Sequence, residues 1–435
     1  MNWENDPYAI LGVSPDATTR DIKAVYRKIA QRLHPDINKH PEAAQQFAAA
    51  SAAYELLTDT MRRKKHDSQV EQKFQTKSDE EENSFFTLNI TSSKQTVSPL
   101  AENQVIYLLT DIFPDASYAE EHENRETRLN LALVLDRSNS MRGPRMDKVK
   151  IAAHQIIDNM AKNDIISIIT FNDRADTIIS ATTPEDRPVL KANVSMISPT
   201  GGTEIYQGLA AGMKQINANI DSRMVNHIIL LTDGHTFGDQ ELCLELAREA
   251  GTAGVSISAM GLGHDWNDEF LDEIASTTGG NSVYINSASA VVTFLNDQVR
   301  SLTNAFAERM TLSIVPDPDV VLESAFKLSP HPQPLSVDSG RLLLGSLQMN
   351  RPLSILLQFQ LPGDMTELTR HVARVVAQGD ILMNHPQGFF AVGDLTIEVT
   401  RSATSEYAPD EILDALSKLA LYRLQERAHE ALEDG

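Results

Sequence analysis

One short group of residues that could do chemistry is His34-Pro35-Asp36, in the stretch RLHPDINKH. Proline cannot continue a helix, so the tripeptide predicts an exposed turn directly after a basic, periodic segment. Such a rigid turn presents the carboxylate of Asp36 at low entropic cost. Three-residue matches are common, and the tripeptide alone is more often an ordinary turn than a functional site.

A second group consists of polar residues that follow predicted strands. Apolar runs such as LNLALVLD are typical of buried parallel strands, and ligands bind beyond the carboxyl ends of such strands. Two carboxylates and three hydroxyls map to that edge: Asp136, Ser138, Ser140, Thr203 and Asp233. Each could instead be a helix cap or a turn residue, but their ordered combination favours a hard oxygen site. Such a site suits Mg²⁺, with Mn²⁺ or Ca²⁺ also possible.

Two amphipathic helices are predicted to position His34-Pro35-Asp36. The apolar face of the first comprises Ile22, Tyr26, Ile29 and Leu33, and that of the second comprises Phe47, Ala50, Tyr54 and Leu57. Thr18 and Asp21 resemble a capping box at the start of the first helix. We expect the helices to pack antiparallel, with the tripeptide at the exposed tip between them.

The segments around His34-Pro35-Asp36 resemble those of a known family. The stretches DPYAILGVSPDAT, YRKIAQRLHPD and AAYELLTDTMRRKKHD make residues 6–67 look like a J-domain. The resemblance implies that the domain performs no chemistry itself. It implies that His34, Pro35 and Asp36 trigger ATP hydrolysis by a DnaK-type heat-shock chaperone. Four basic residues are then candidate docking charges, since an exposed basic stripe steers toward an acidic partner: Arg20, Lys23, Arg27 and Lys28.

The polar group at the strand ends also resembles a family. Strands alternate with helices from about Arg128 to Arg300, which predicts a doubly wound α/β sheet. LVLDRSNSM, TGGTEI and LLTDG look like a von Willebrand factor type A domain with a metal-ion-dependent adhesion site. The resemblance implies that the three hydroxyls bind the ion directly, that the two aspartates act mostly through water, and that a partner's carboxylate completes the shell. Arg137 and Asn139 depart from the usual pattern, which bears on the choice of partner.

The remaining segments complete a multidomain architecture. β-branched and alternating runs on both sides of the α/β domain predict one antiparallel sandwich with that domain inserted. The predicted order is a J-domain at 1–70, a charged linker at 71–82, sandwich strands at 83–127, the α/β domain at 128–300, the rest of the sandwich at 301–402 and a helix at 403–435. The predicted apolar stripe of this last helix comprises Ile412, Leu416, Ala420, Leu424, Ala428 and Leu432.

Composition excludes several classes of protein. The 435-residue chain is too long for one core, and its net charge of −22 argues against nonspecific nucleic-acid binding. No apolar run is long enough for a membrane span, and the N-terminus does not resemble a secretory signal. The single cysteine, Cys243, excludes an intrachain disulfide framework. A cytoplasmic setting follows as the expectation.

Three functional hypotheses remain open. The leading one is a non-enzymatic adaptor that binds a protein ligand through Mg²⁺ and recruits a DnaK-type chaperone to it. The second is a regulatory subunit of a chelatase-type ring ATPase. The third, a hydrolase, is weaker, because His227, His235 and His264 show no nucleophile–base spacing.

Overall fold

The N-terminal unit of the computed structural model is helical, as the periodicity predicts. The structure describes residues 6–75, 86–114, 127–233, 236, 238–262, 268–285, 287–338, 340–366, 368–382, 387–401 and 407–433. The four helices are α1 (Pro7–Leu11), α2 (Thr19–Leu33), α3 (Pro41–Thr58) and α4 (Thr60–Gln75). Thr18 and Asp21 form the predicted capping box. Ile22, Ile29 and Leu33 lie in one core with Ala50 and Leu57.

Helix α4 continues further than the charged composition indicates. It ends at Gln75, so residues 71–75 are helical and the prediction that they belong to a linker is wrong. Residues 76–82 of that linker lie outside the described residues. A polar, charged segment can form an exposed helix as well as a linker, because Lys, Arg, Glu and Gln are good helix formers. Composition alone therefore misplaced the boundary.

The middle of the chain is an α/β domain that interrupts a set of β-strands. Before it come β1 (Phe86–Ser92), β2 (Thr96–Val97) and β3 (Gln104–Pro114). The domain itself comprises β4 (Leu129–Asp136), α5 (Pro144–Asn159), β5 (Ile165–Phe171), β6 (Ala175–Thr182), α6 (Arg187–Ser195), α7 (Ile205–Asn217), β7 (Val225–Thr232), α8 (Gln240–Ala253), β8 (Ser256–Leu262), α9 (Asp268–Thr278), β9 (Ser282–Ile285) and α10 (Ala288–Thr303).

The central sheet of this domain has the strand order β6-β5-β4-β7-β8-β9. Strands β5, β4, β7, β8 and β9 are parallel, and β6 pairs antiparallel with β5 at one edge. The sheet is therefore mixed rather than wholly parallel. Every residue of β4 and β7 is buried, which accounts for their mainly apolar sequences.

The strands on both sides of the α/β domain form a two-sheet sandwich, which confirms the predicted insertion. After the domain come β10 (Ala305–Pro316), β11 (Val321–Ser329), β12 (Gln333–Leu335), β13 (Arg341–Gln348), β14 (Leu353–Leu361), β15 (Thr369–Ile381) and β16 (Gln387–Val399). The two sheets have the orders β1-β3-β14-β11-β12 and β13-β10-β15-β16-β2. All pairs in them are antiparallel except β2 with β16.

The last helix, α11 (Asp410–Glu433), packs on the outer face of the first of these sheets. Ile412, Ala415 and Leu419 are buried there, and Leu416 is partly buried. The prediction that Ala420 and Leu424 lie on this face is wrong, because both are exposed. Four residues advance a helix by about 400°, so a strict four-residue spacing drifts off the buried face by about 40° per step. The side chains of Ala428 and Leu432 lie outside the described residues.

The helical unit also packs against the sandwich. Val315 of β10 belongs to the same apolar core as Leu33 and Leu57 of the helices. Among the described residues, no helix is long and apolar enough to cross a membrane. The described chain is thus a helical unit, a sandwich with an inserted α/β domain, and a terminal helix.

Candidate functional sites

Neighbouring parallel strands bring the two predicted metal-site aspartates together. β4 ends at Asp136, and β7, which pairs with it in parallel, is followed at once by Asp233. Both side chains therefore leave the sheet at the same edge. The three-residue turn Asn139–Met141 after β4 brings the hydroxyls of Ser138 and Ser140 to that edge.

Four of the five predicted metal-site residues form one hydrogen-bonded cluster. The Ser138 and Ser140 Oγ atoms are 2.9 Å apart. The Ser140 hydroxyl donates to Asp233 Oδ1 at 2.7 Å, and the Ser138 hydroxyl lies 3.5 Å from the same oxygen. Asp136 Oδ1 accepts from the Ser138 N–H at 2.7 Å. The oxygens of Ser138, Ser140 and Asp233 converge, as an oxygen-ligated cation requires.

Thr203 comes from a separate loop that is tied to the serine loop through the backbone. The Asn139 N–H donates to Gly201 O at 3.1 Å. Gly201 has a φ of +80°, and a Cβ atom there would lie 2.6 Å from the Asp173 carboxylate. Thr203 is buried beside this turn, but within the described ranges its hydroxyl makes no hydrogen bond to the other four residues. The structure brings its loop, rather than its hydroxyl, into contact with the cluster.

Burial sets the electrostatics of Asp136. Desolvation raises the pKa of its carboxyl to about 6, although hydrogen bonds from Ser138 and Thr232 oppose the rise. The Thr232 hydroxyl donates to Asp136 Oδ2 at 2.8 Å. The nearby carboxylate of Asp233 adds to the rise. A divalent cation at this edge would favour the ionised form, because an opposite charge within a few ångströms stabilises a carboxylate.

Arg145 is a member of the cluster that the sequence reasoning missed. It lies in the first turn of α5, and its Nη1 is 2.6 Å from Asp233 Oδ2. A cation at a helix N-terminus opposes the helix dipole, so an arginine in the first turn was the available signal for a nearby acid. Asp233 thus turns one oxygen toward the serines and the other toward a guanidinium.

The donor set fits a hard divalent cation. Within the described parts of the chain, no cluster of three or more His, Cys, Asp or Glu side chains could hold a metal. The predicted site differs from such clusters because hydroxyls supply three of its five groups. Hydroxyl and carboxylate oxygens are the ligands that Mg²⁺ prefers. The positive charge of Arg145 beside Asp233 opposes a cation here.

The His34-Pro35-Asp36 loop is exposed, as predicted. The Asp36 side chain is 86% exposed and that of His34 is 46% exposed. The Asp36 N–H donates to His34 Nδ1 at 3.2 Å, and the His34 ring packs edge-on against Phe47 at 5.4 Å between centroids. The Lys39 ammonium donates to Pro35 O at 2.8 Å. These contacts give the loop a defined shape while its carboxylate faces solvent.

The predicted docking charges are also accessible. Arg20, Lys23, Arg27 and Lys28 are all exposed on α2. Arg32, one turn beyond Lys28, behaves differently. Its side chain is only 14% exposed and pairs with Asp317 and Asp394 of the sandwich. Sequence reasoning missed this residue, because its partners are 285 and 362 positions away.

Of the three histidines considered for a hydrolase, His227 lies among the described residues. His227 is buried within β7 and its Nε2 lies 3.0 Å from Ser258 Oγ. Burial lowers the pKa of His227 to about 3. His235 and His264 lie outside the described residues. Cys243 is buried, and burial raises the pKa of its thiol.

Family models match the two regions of the chain that contain these residues. The model of the DnaJ domain matches residues 6–67, and that of the von Willebrand factor type A (VWA) domain matches residues 130–298. The chain contains a DnaJ domain and a VWA domain. The predicted recognition of both is therefore confirmed. The matched ranges contain the exposed His34-Pro35-Asp36 loop and all five predicted metal-site residues, respectively.

Known proteins resemble different parts of this chain. An uncharacterised protein of Synechocystis is 29% identical over 335 residues, covering 74% of this chain and 77% of its own length. A chaperone protein DnaJ of a Geobacillus is 48% identical over 64 residues, which is 15% of this chain and 17% of that protein. A von Willebrand factor type A structure from Catenulispora acidiphila superposes with a TM-score of 0.59 at 15% identity, covering 73% of this chain and 74% of that one. That structural likeness shows the fold alone.

Proposed function

We propose that the protein is a non-enzymatic adaptor in the co-chaperone class. Its VWA domain binds a protein ligand in an Mg²⁺-dependent way, and its DnaJ domain recruits and stimulates a DnaK-type chaperone ATPase. The observation that carries the proposal is the presence, in one chain, of the exposed His34-Pro35-Asp36 loop and the oxygen cluster at the β4 and β7 ends. The cytoplasm, which is reducing, suits the free thiol of Cys243.

The metal-dependent part of the proposal assigns a role to each residue of the cluster. Ser138, Ser140 and Thr203 would hold the ion through their hydroxyls, and Asp136 and Asp233 would balance its charge. A bound divalent ion supplies a positive centre with a free coordination position, which a carboxylate of the partner protein fills. Asp136, held by Ser138 and Thr232, orients the first of the three loops.

The chaperone-facing part rests on shape and charge. The proline turn presents Asp36 to the partner, and the exposed basic residues of α2 supply complementary charge for an acidic surface. No reaction is assigned to the protein itself. The histidine of the VWA domain that the structure describes in β7, His227, is buried and bonded to Ser258.

The test is capture of binding partners from the native cell with immobilised protein, in Mg²⁺ and then in chelator. The adaptor function predicts two kinds of captured protein. A ligand should bind only in Mg²⁺ and be lost from Asp233→Ala, while a DnaK-type chaperone should bind with ATP and be lost from His34→Gln. Capture of the same ligand in chelator would contradict the metal-dependent mechanism.

A further inference from the structure

A network of ion pairs joins the DnaJ domain to the sandwich at the base of the chaperone-facing loop. Arg32 Nε lies 2.9 Å from Asp317 Oδ1, and Arg32 Nη1 lies 3.0 Å from Asp394 Oδ1. Asp394 also pairs with Arg374, whose Nη2 donates to the backbone carbonyl of Ile10 in α1. We call the two carboxylates that contact Arg32, Asp317 and Asp394, the acidic notch; Asp319 nearby pairs with Arg370 instead. The notch lies on the β10–β11 connection and on β16.

Polar contacts on the other side of the loop hold the same two domains together. Asn38 Nδ2 donates to Pro316 O at 2.9 Å, and Asn38 is buried. Gln46 Nε2 donates to Ser313 Oγ at 2.9 Å. These contacts are buried hydrogen bonds, which are costly to leave unmade.

A second ion pair lies further from the loop. Glu42 Oε2 accepts from Arg341 Nη2 at 2.9 Å, and the Glu42 side chain is only 12% exposed. The contacts of this interface therefore extend from the end of α2, through the loop, to the first turns of α3. Partly buried contacts of this kind contribute more to stability than an ion pair between two exposed side chains.

The interface brackets the His34-Pro35-Asp36 loop. Arg32 precedes His34 by two residues, and Asn38 follows Asp36 by two residues. Both are fixed to the sandwich, while Asp36 between them points to solvent. A chaperone that covers Asp36 must therefore approach beside the acidic notch.

We propose that the acidic notch is an internal competitor for the chaperone. It engages Arg32 as an acidic chaperone surface would, so Arg32 is unavailable to an acidic partner while the two domains are in contact. The closed arrangement thus lowers the affinity of the DnaJ domain for the chaperone, and a small population of separated domains carries the full affinity. This inference rests on the proposed recruitment of a DnaK-type chaperone.

The test weakens the interface by substituting residues of the sandwich only, so that every residue of the DnaJ domain is unchanged. The variant is Asp317→Asn with Arg341→Gln in the full chain. Its matched control is Glu323→Gln with Arg351→Gln, which makes the same charge changes at exposed positions of the sandwich. Each protein is titrated into a purified bacterial DnaK-type chaperone with ATP, and phosphate release is followed. Thermal melting establishes that both variants are folded.

The two outcomes are distinct. The proposal predicts that the half-maximal concentration for stimulation falls about tenfold in the interface variant, with maximal stimulation unchanged, and stays at the wild-type value in the control. The single variant Arg341→Gln, further from the loop, should shift in the same direction by less. If the folded interface variant has the same half-maximal concentration as wild type, the proposal of an internal competitor is wrong, whereas the proposed recruitment of the chaperone is unaffected. If neither wild type nor variant stimulates the chaperone at any concentration, the proposed function itself is wrong.

Discussion

At the scale of single residues, the two aspartates of the metal cluster have opposite environments. Asp136 is buried and hydrogen-bonded by Ser138 and Thr232, and burial raises the pKa of its carboxyl to about 6. Asp233 instead pairs with a guanidinium, that of Arg145, at 2.6 Å. One carboxylate is thus held by neutral donors, and the other already has a cationic partner. Because of this difference, we expect substitutions around the two aspartates to change Mg²⁺ affinity unequally.

Removing a hydroxyl should cost less metal affinity than removing a carboxylate. Water can take the place of the Ser138 hydroxyl in Ser138→Ala, whereas Asp233→Ala also removes a negative charge. We expect Mg²⁺ affinity to fall by about 10-fold in the first and about 100-fold in the second, the range for lost partners around a metal. Calorimetry with Mg²⁺ measures both, with Ser180→Ala, an exposed serine of β6, as the control. Equal affinities in all four proteins would contradict the site.

Removing the cation beside Asp233 should have the opposite effect. Arg145→Gln keeps a donor near Asp233 but removes a positive charge, so repulsion of a divalent ion falls. We expect Mg²⁺ to bind several-fold more tightly than to wild type. Arg142→Gln, at an exposed position three residues earlier, is the matched control. Weaker binding in Arg145→Gln would show that the arginine mainly orients Asp233.

At the scale of elements, strands with a mainly apolar sequence were the predictable ones. Strand β4 (Leu129–Asp136) coincides with the run LNLALVLD, which was predicted to be a buried strand. Several strands were not among the predicted runs, and β11 and β6 show the physical reasons. β11 carries Lys327 where a buried strand ordinarily has an apolar residue, and β6 is an antiparallel edge strand with many exposed positions. The lysine is tolerated because its Nζ donates hydrogen bonds to Gly280 O and Asn281 Oδ1 of the VWA domain.

The junction of the VWA domain with the sandwich depends on two glycines. Gly279, after α9, and Gly345, in β13, approach so closely that a Cβ atom on Gly345 would lie 2.0 Å from Gly279 O. Gly345 also has a φ of +80°, which disfavours any side chain. Sequence reasoning cannot anticipate a contact between two backbones that are distant in the chain.

Gly345→Ala should therefore destabilise the junction. We expect a loss of about 2–4 kcal/mol in the free energy of unfolding, since backbone strain and a steric clash act together. Gly238→Ala is the matched control, because Gly238 has a φ of +81° and no described residue lies within 4 Å of where its Cβ would be, so a strain of about 1 kcal/mol applies. Denaturant unfolding of the two variants compares them. Equal losses would mean that the close approach is relieved at no cost.

At the scale of the whole molecule, Lys327 links the sandwich to the VWA domain. Its side chain is fully buried, and its Nζ donates to Asn281 Oδ1 at 2.8 Å and Gly280 O at 3.2 Å. Burial lowers the pKa of Lys327 from 10.5 to about 7. Between these two values the unfolded chain binds more protons than the folded one, so stability rises with pH in that window. Below about pH 7 the lysine is charged in both states and its contribution is constant.

Lys327→Met should remove this rise of stability with pH. A buried amine replaced by an apolar side chain of similar length has no desolvation to overcome. We expect the wild type to gain up to roughly 1 kcal/mol per pH unit relative to Lys327→Met between pH 7 and 10. Lys418→Met, at an exposed position on α11, is the control. Denaturant midpoints across that range give the comparison, and parallel pH profiles for wild type and Lys327→Met would contradict it.

The packing of the DnaJ domain on the sandwich was beyond sequence reasoning. The two predicted helices, their cap and the exposed loop follow from local periodicity and are present. The partners of Arg32, by contrast, are Asp317 of the β10–β11 connection and Asp394 of β16, which are 285 and 362 positions away in the chain. Both lie on polar surface positions, where no hydrophobic pattern marks the contact. Local sequence patterns therefore predicted each domain, whereas the contacts between the domains are visible only in the folded structure.

The most direct test of the adaptor account is stimulation of a DnaK-type chaperone ATPase by the full chain. Wild type, His34→Gln and the control His154→Gln are compared at saturating concentration, with phosphate release as the readout. His154 lies on α5 of the VWA domain, away from the loop. The account predicts stimulation by wild type and by His154→Gln, and none by His34→Gln, whose melting temperature should change little because the side chain is half-exposed. Equal stimulation by His34→Gln, or none by wild type, would contradict it.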